Sequence, residues 1–396
     1  MHDVIIVGGG VIGLSIAREL ALHSKSVLLL DRGNTRDATS WAAAGMLAPQ
    51  SETEIASPFF DLCMASARLY RDWTNHLHEE SGIDPEFADS GLLFVASTEE
   101  GLCRLKRSLE WQQSMGLKGE LLSPEATVQL EPHLTLSLTG AVFMPDECHV
   151  TPRRLLEALA GACAGKRVEI QTGVRVLEVL QAEGRVTGVR TPAEQFAAPN
   201  VVIASGVRSP EIQGISPAIP VSPRKGQILS LTSDARAFRH MIRWEHAYMV
   251  PRRSGDLIVG ATNEDAGFDR SITPAGVGSL LQRAQQLSSH IADLPIGEIW
   301  TGLRPATPDG LPVIGKAGVE GLFYATGHYR NGILLAPITA VSVASVMENR
   351  TAPHRSAKRR SIASHHAEVF GSPVRRRTSF RHWSYRRSIG SPARWQ

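Results

Sequence analysis

The sequence predicts an α/β fold: a nucleotide-type parallel sheet assembled from separated segments, with a mainly antiparallel β unit inserted between them. Three observations predict it. An apolar run, Val4 to Val7, meets a glycine-rich turn, then a helical pattern over Val11 to Leu22 and a second apolar run, Val27 to Leu30. Between Gly226 and Gly260, strand-like runs are separated by polar turns. A last strand, Leu322 to Ala325, is followed by a helix from about Leu334.

Each element has a physical reason. Val4 to Val7 is apolar without alternation, as expected of a parallel strand buried on both faces. Ile12, Ile16 and Leu20 fall on one side of the helix that follows, and the next strand ends at Asp31. Strand, turn, helix and strand make the opening βαβ unit of a dinucleotide-binding sheet. Asp61 to Glu80 reads as helix and Leu92 to Ala96 as strand. Thr151-Pro152 opens another helix, with Thr as N-cap and Pro at the first helical position. Its apolar face is Leu155, Leu156, Leu159 and Cys163. Short β-like runs follow at Val174 to Val179 and Arg185 to Val189, then Val201 to Ala204. In the Gly226–Gly260 stretch the strands are Gln227 to Leu231, Ala247 to Val250 and Leu257 to Val259. The chain shows no internal repeat. Residues 1–85, 145–222 and 300–349 are expected to form the nucleotide domain, and 86–144 and 223–299 the inserted domain.

Composition separates a body from a tail. Of 396 residues, 42% are hydrophobic and 20% charged, as in ordinary globular proteins. The net charge is +3, yet residues 350–396 hold twelve Lys/Arg and one acid, which leaves 30 basic and 38 acidic residues before them. The tail is rich in Arg, Ser and Pro and is expected to be disordered, because it has too few apolar residues for a core. Four cysteines (Cys63, Cys103, Cys148, Cys163) with no CxxC spacing fit a reducing compartment rather than a disulfide framework. The first residues lack the basic n-region of a signal peptide. The longest uncharged stretch, Asn331 to Met347, is too short to span a bilayer. A cytoplasmic protein without membrane attachment is expected. The fourteen histidines show no HxH or HExxH spacing, so no metal is assigned.

The chemistry-bearing motifs begin with Gly8-Gly9-Gly10-Val11-Ile12-Gly13, a GxGxxG between strand and helix. Gly8 permits the tight turn, Gly10 lets the backbone approach a pyrophosphate, and Gly13 allows close helix–strand packing. The helix N-terminus offers its N–H groups and partial positive charge to phosphate. Asp31 sits where a carboxylate accepts hydrogen bonds from the adenosine ribose, which speaks against a 2′-phosphate and NADP. FAD and NAD both fit. Residues Ala38 to Met46 form a run of small side chains that could lie against a flat ring, with Thr39 and Ser40 available to phosphate. Taken alone, that run reads as a tightly packed loop or helix start. Arg304 and Arg330 each stand beside glycine or proline, and a guanidinium fork matches a carboxylate. Two such groups suit an amino-acid carboxylate; a structural salt bridge is the alternative for each. Tyr248 is either a phenolic donor to the same carboxylate or a half-buried strand tyrosine. Cys148-His149 has no third partner and is discounted as a nucleophile pair.

These motifs together carry a resemblance. VIIVGGGVIGLSIA, TSWAAAGMLAP, AYMVPR, GLRPATPDGLPVIG and GHYRNGILLAP, spread over roughly residues 3 to 347, resemble the D-amino-acid oxidase superfamily and, within it, the bacterial glycine oxidases of thiamine biosynthesis. The resemblance implies a Rossmann-like FAD-binding domain with an inserted, mainly antiparallel β substrate domain, and FAD held non-covalently. It places cofactor contacts on Val11, Ile12, Asp31, Arg32, Thr39, Ser40, Ala44, Gly45, Met46 and Val174. Further contacts fall on the loop His328, Tyr329, Arg330, Asn331, Gly332, Ile333 and Leu334. It places the substrate carboxylate on Arg304 and Arg330, with Tyr248 nearby, which reassigns the small-residue run and both arginines to the site.

The implied reaction clamps a small amino acid or amine by its carboxylate and passes hydride from Cα to flavin N5. Oxygen then yields hydrogen peroxide, and the imine hydrolyses or passes to thiazole synthase. No side-chain catalyst is required, because the flavin carries the chemistry. A homo-oligomer, a tetramer in the family, is implied. Two other readings remain in play: a D-amino-acid dehydrogenase that delivers electrons to a quinone, and a basic-tailed nucleic-acid-binding protein with a vestigial flavin.

Overall fold

The computed structural model of the protein describes residues 2–33, 38–53, 55–135, 137–233, 238–245 and 247–349. The basic tail from Arg350, expected to be disordered, lies outside the described residues.

One sheet has six strands, neighbouring in the order Val313–Lys316, Leu322–Thr326, Val201–Ile203, Val4–Val7, Val27–Asp31 and Val168–Thr172. All neighbours run parallel except the first two. Alternate residues feed two cores, which is why these strands are apolar throughout. Val4, Ile6, Val27 and Leu29 pack under the helices Val11–Leu22, Pro58–Ser81, Pro152–Ala164 and Ala336–Met347. Ile5, Val7, Leu28 and Leu30 pack under the strands Glu178–Ala182 and Arg185–Arg190 through Val179, Val186 and Val189. The expected contact of Gly13 with the strand end is severe: a Cβ there would stand 1.8 Å from the carbonyl oxygen of Gly8.

The second sheet has eight strands: Ile296–Ala306, Ser222–Leu231, Leu257–Gly260, Ala247–Pro251, Met241–Trp244, Leu92–Ala96, Gly140–Met144 and Glu120–Leu122. Every neighbour is antiparallel except Met241–Trp244 beside Leu92–Ala96. The mainly antiparallel character expected of the inserted unit is present. Its boundary at residue 300 falls inside a strand, however, because Ile296–Ala306 pairs along its length with Ser222–Leu231. Met249, Val259 and Leu229 face the helix Pro274–Leu287 through Leu280, Ala284 and Leu287. The other face presents Ile228, Val250, Ile258 and Trp300 to Ala42 and Ala44.

Three local expectations change. Thr151 does precede its helix, but its hydroxyl donates to Glu86 Oε2 (2.6 Å) rather than capping. The strand expected from Val174 begins only at Glu178; the preceding segment is drawn to the first sheet by the Val174 N–H on the Asp31 carbonyl (2.9 Å). The helices Glu99–Ser114 and Pro274–Leu287 were not expected. Each is opened by a threonine, Thr98 or Thr273, whose hydroxyl accepts an N–H of the first turn. Among the described residues no helix is long and apolar enough to cross a membrane.

Candidate active site

Both sheets contribute walls to a cavity of about 1390 Å³. Ordinary small-molecule sites occupy ~300–1,000 Å³. This one has room for a dinucleotide and a small second molecule.

Gly8, Gly10, Val11 and Ile12 form one wall at the helix N-terminus, with Asp31 and Arg32 at the end of the second strand. Asp31 is oriented by two backbone donors, Gly9 N–H on Oδ2 (2.5 Å) and Gly33 N–H on Oδ1 (2.8 Å). A carboxylate has about four acceptor positions, so two remain for ribose hydroxyls. Ser40 Oγ accepts the N–H of Val11 (3.0 Å), which puts this hydroxyl where phosphate approaches the helix. Thr39 lines the same cavity, and its hydroxyl donates to the Leu303 carbonyl (2.5 Å), which commits its proton to the other sheet and leaves the oxygen as an acceptor. Gly13 stands off the wall and serves packing alone. The backbone donors, the glycine at the point of approach and the ribose-level acid fit an adenine dinucleotide.

The loop through Ala44, Gly45 and Met46 lies on the same cavity, and its shape is imposed from the second sheet. Arg252 donates from Nη2 to the Ala44 carbonyl (2.6 Å) and from Nη1 to the Val150 carbonyl (2.9 Å). Burial lowers the Arg252 pKa to about 10, and two carbonyls partly offset the cost of enclosing its charge. Trp300 Nε1 donates to the Ala42 carbonyl (3.0 Å). The sequence reading did not single out Arg252 or Trp300, since neither partnership is local.

Like Val174, the loop His328 to Leu334 also lines the cavity. Its backbone is pinned by the Tyr329 N–H on the Pro305 carbonyl (2.9 Å). From the helix Pro58–Ser81, Ser66 Oγ donates to the Leu334 carbonyl (2.6 Å), and the Tyr70 hydroxyl donates to that of Ile333. His328 is buried, with Nε2 on Thr339 Oγ1 (3.0 Å), and burial pulls its pKa down to about 3. The imidazole is thus held neutral by burial where it lines the cavity.

The arginines do not behave alike. Arg304 donates from Nη1 to the Thr262 carbonyl (3.1 Å), and among the described residues no carboxylate pairs with it. Tyr248 lines the same cavity, near enough to feel the Arg304 charge. Burial pushes the phenol above its ordinary value against the pull of the Arg304 charge, so Tyr248 is a neutral donor. Arg330, by contrast, has a partner within the chain: its Nε lies 2.5 Å from Glu52 Oε2, close but not aligned as a hydrogen bond. Arg243 Nη1 donates to the other oxygen, Glu52 Oε1 (2.9 Å). The alternative of a structural salt bridge thus applies to Arg330 and not to Arg304. Glu52 and Arg243 were missed by sequence reading because 191 residues separate them.

Cys148 and His149 confirm no nucleophile pair. Burial lifts the Cys148 thiol to about 12 and drops the His149 imidazole to about 3, the opposite of an activated thiolate. The described residues contain no group of three or more His, Cys, Asp or Glu side chains that could hold a metal ion.

A dinucleotide groove, lined also by a guanidinium that pairs with no carboxylate among the described residues, defines the class: an α/β redox protein of the dinucleotide-binding kind. Residues 3–346 match the FAD-dependent oxidoreductase family, and the chain belongs to that family. FAD, rather than NAD, is therefore the dinucleotide. The chain is 33% identical to the glycine oxidase of Bacillus subtilis, covering 88% of this chain and 94% of that protein. It is 38% identical to the bifunctional protein ThiO/ThiG of Nostoc sp. over 89% of this chain. The chain spans about half of that longer relative, 54% of its length. The crystal structure of glycine oxidase from Geobacillus kaustophilus superposes with a TM-score of 0.86 at 34% identity, covering 90% of this chain and 97% of that one.

Proposed function

We propose that the protein is an oxidase of glycine and other small amino acids, such as sarcosine and small D-amino acids, with non-covalent FAD. The observation that carries the reading is Arg304: a guanidinium on a cavity wall, oriented by the Thr262 carbonyl and without an acid partner among the described residues. A charge so placed is best satisfied by an incoming carboxylate. Tyr248 supplies a further neutral donor, and Arg330 lines the same cavity with its charge balanced by Glu52.

The remaining assignments follow the walls. Asp31 takes the ribose hydroxyls, and the N–H groups near Val11 and Ile12, with Ser40, take the pyrophosphate. The loops of Ala44 to Met46 and His328 to Leu334 enclose the ring system, and Arg32 and Val174, whose N–H meets the Asp31 carbonyl, stand at the adenosine end. FAD held there supplies the two-electron acceptance that removes hydride from Cα, with oxygen reduced to hydrogen peroxide. The chain orients the substrate: Arg304 fixes the carboxylate, which leaves Cα beside it little freedom to move. His328 holds its loop through Thr339 and moves no proton.

The name of the bifunctional ThiO/ThiG relative supports an extension of this reading, in which the imine product feeds thiazole synthesis for thiamine; a cytoplasmic homotetramer is proposed from the family resemblance alone. Peroxide release, measured beside dye reduction over a panel of glycine, sarcosine and small D-amino acids, tests the oxidase. Peroxide in step with substrate loss is expected. Dye reduction without peroxide favours a dehydrogenase that passes its electrons to a quinone.

A further inference from the structure

Arg243, Arg304 and Arg330 are three of the eight arginines that line the cavity, and the chain brings one carboxylate, Glu52, to two of these three. Glu52 is a built group rather than a chance surface acid. Its side chain is 19% exposed, at the end of the short helix Pro49–Glu52. That helix is fixed from below by Glu147 Oε1, which accepts the Gln50 N–H (3.0 Å). It is fixed from the side by Gln112, whose Nε2 donates to the Gln50 carbonyl (2.8 Å) and whose Oε1 accepts from Gln50 Nε2 (3.0 Å). Arg243 also holds the Ser51 carbonyl (2.6 Å), so its guanidinium is committed to this turn.

We infer that Glu52 is a specificity-determining residue that restricts the site to substrates with one acid group. With Glu52 charged, Arg304 is the one guanidinium of the three without an acid partner among the described residues. A glycine derivative bound there by its carboxylate can carry a neutral substituent on nitrogen. A second carboxylate on that substituent meets Glu52 at its own charge, and the two arginines beside Glu52 are already neutralised by it. The selection is therefore made by a repulsive acid and two occupied bases, not by cavity size. This inference rests on the proposed role of Arg304.

Glu52→Gln tests it with little change of shape, because the amide oxygen can still accept from Arg243. The probes are sarcosine and N-(carboxymethyl)glycine as substrates, and acetate and malonate as non-oxidisable ligands. Ligand binding is read from the visible spectrum of the bound flavin. The expected result is a rise of about tenfold in kcat/KM for the dicarboxylate relative to sarcosine, with malonate binding strengthened by a similar factor over acetate, the scale of one added charge-assisted contact. Adding Arg330→Met to Glu52→Gln should remove that gain in the ratio. An unchanged ratio in a yellow Glu52→Gln protein that still binds acetate overturns the inference while leaving the proposed function intact. So does a loss of sarcosine turnover with no dicarboxylate gain, which would place Glu52 on the substrate amine. If the wild type binds no acetate and oxidises no small amine, the reading of Arg304 itself fails.

Discussion

The guanidinium of Arg304 lies against the backbone of Gly226, so closely that a Cβ on Gly226 would stand 2.5 Å from Nη2 and 2.6 Å from Nη1. The two residues sit on neighbouring strands, and the missing side chain is what lets the arginine lie flat on the sheet. Gly226→Ala must push the fork away from its place. A misplacement near 1 Å costs up to about 10²-fold in an oriented reaction, so kcat/KM for glycine should fall roughly 10–100-fold. Steady-state kinetics beside the flavin-to-protein absorbance ratio checks this, and the ratio should not change.

Arg304 itself should carry more. Removing one partner of a buried charge pair costs about 3–5 kcal/mol. Arg304→Ala should therefore lower kcat/KM by roughly 10²–10³ or more while the protein remains yellow. Arg304→Lys should also be costly, because the planar fork is lost. Near-normal kcat/KM in Arg304→Ala would remove the basis of the substrate assignment.

Arg252 makes a separate prediction about the cofactor. Its two carbonyl partners, Ala44 and Val150, belong to the segments that shape the flavin side of the cavity. Arg252→Met leaves both without their donor, and each unsatisfied buried acceptor costs about 1–3 kcal/mol. FAD binding to the apoprotein, followed by quenching of flavin fluorescence, should weaken by about tenfold or more. Equal affinity in the variant would mean that the loop holds its shape alone.

Stability should fall with acid over a defined window. His328 and His149 are pulled from an ordinary 6.5 to about 3 by burial. Between those values the unfolded chain binds protons that the folded chain does not. Their contribution is complete above pH 6.5 and is lost as pH falls toward 3. Thermal melts between pH 7 and 4 should show a steady drop in Tm, and His328→Gln should flatten the slope. An identical slope in the variant would mean that His328 titrates normally.

Much of the cofactor side was legible because its logic is local. GxGxxG, the flanking strands and Asp31 lie within about one βαβ unit, and each residue's role follows from backbone geometry. Local spacing also suffices for the strand Leu92–Ala96, whose apolar run is unbroken. The site's charge balance was not legible, because it depends on pairs distant in sequence: Glu52 with Arg243 and Arg330, Arg252 with Ala44, Tyr70 with Ile333. The sequence offered two equivalent arginines; only tertiary packing makes one of them paired. Thr39 shows the same limit on a smaller scale, since a hydroxyl next to a phosphate motif gives no sign that its proton goes to Leu303.

The most direct measurement is anaerobic mixing of the yellow protein with glycine, followed by the visible flavin band. The account predicts that glycine bleaches the band without oxygen, that air restores it with release of peroxide, and that bleaching is slowed at least about a hundredfold in Arg304→Ala. A wild-type protein that carries FAD yet is bleached by neither glycine, sarcosine nor any small D-amino acid would contradict it.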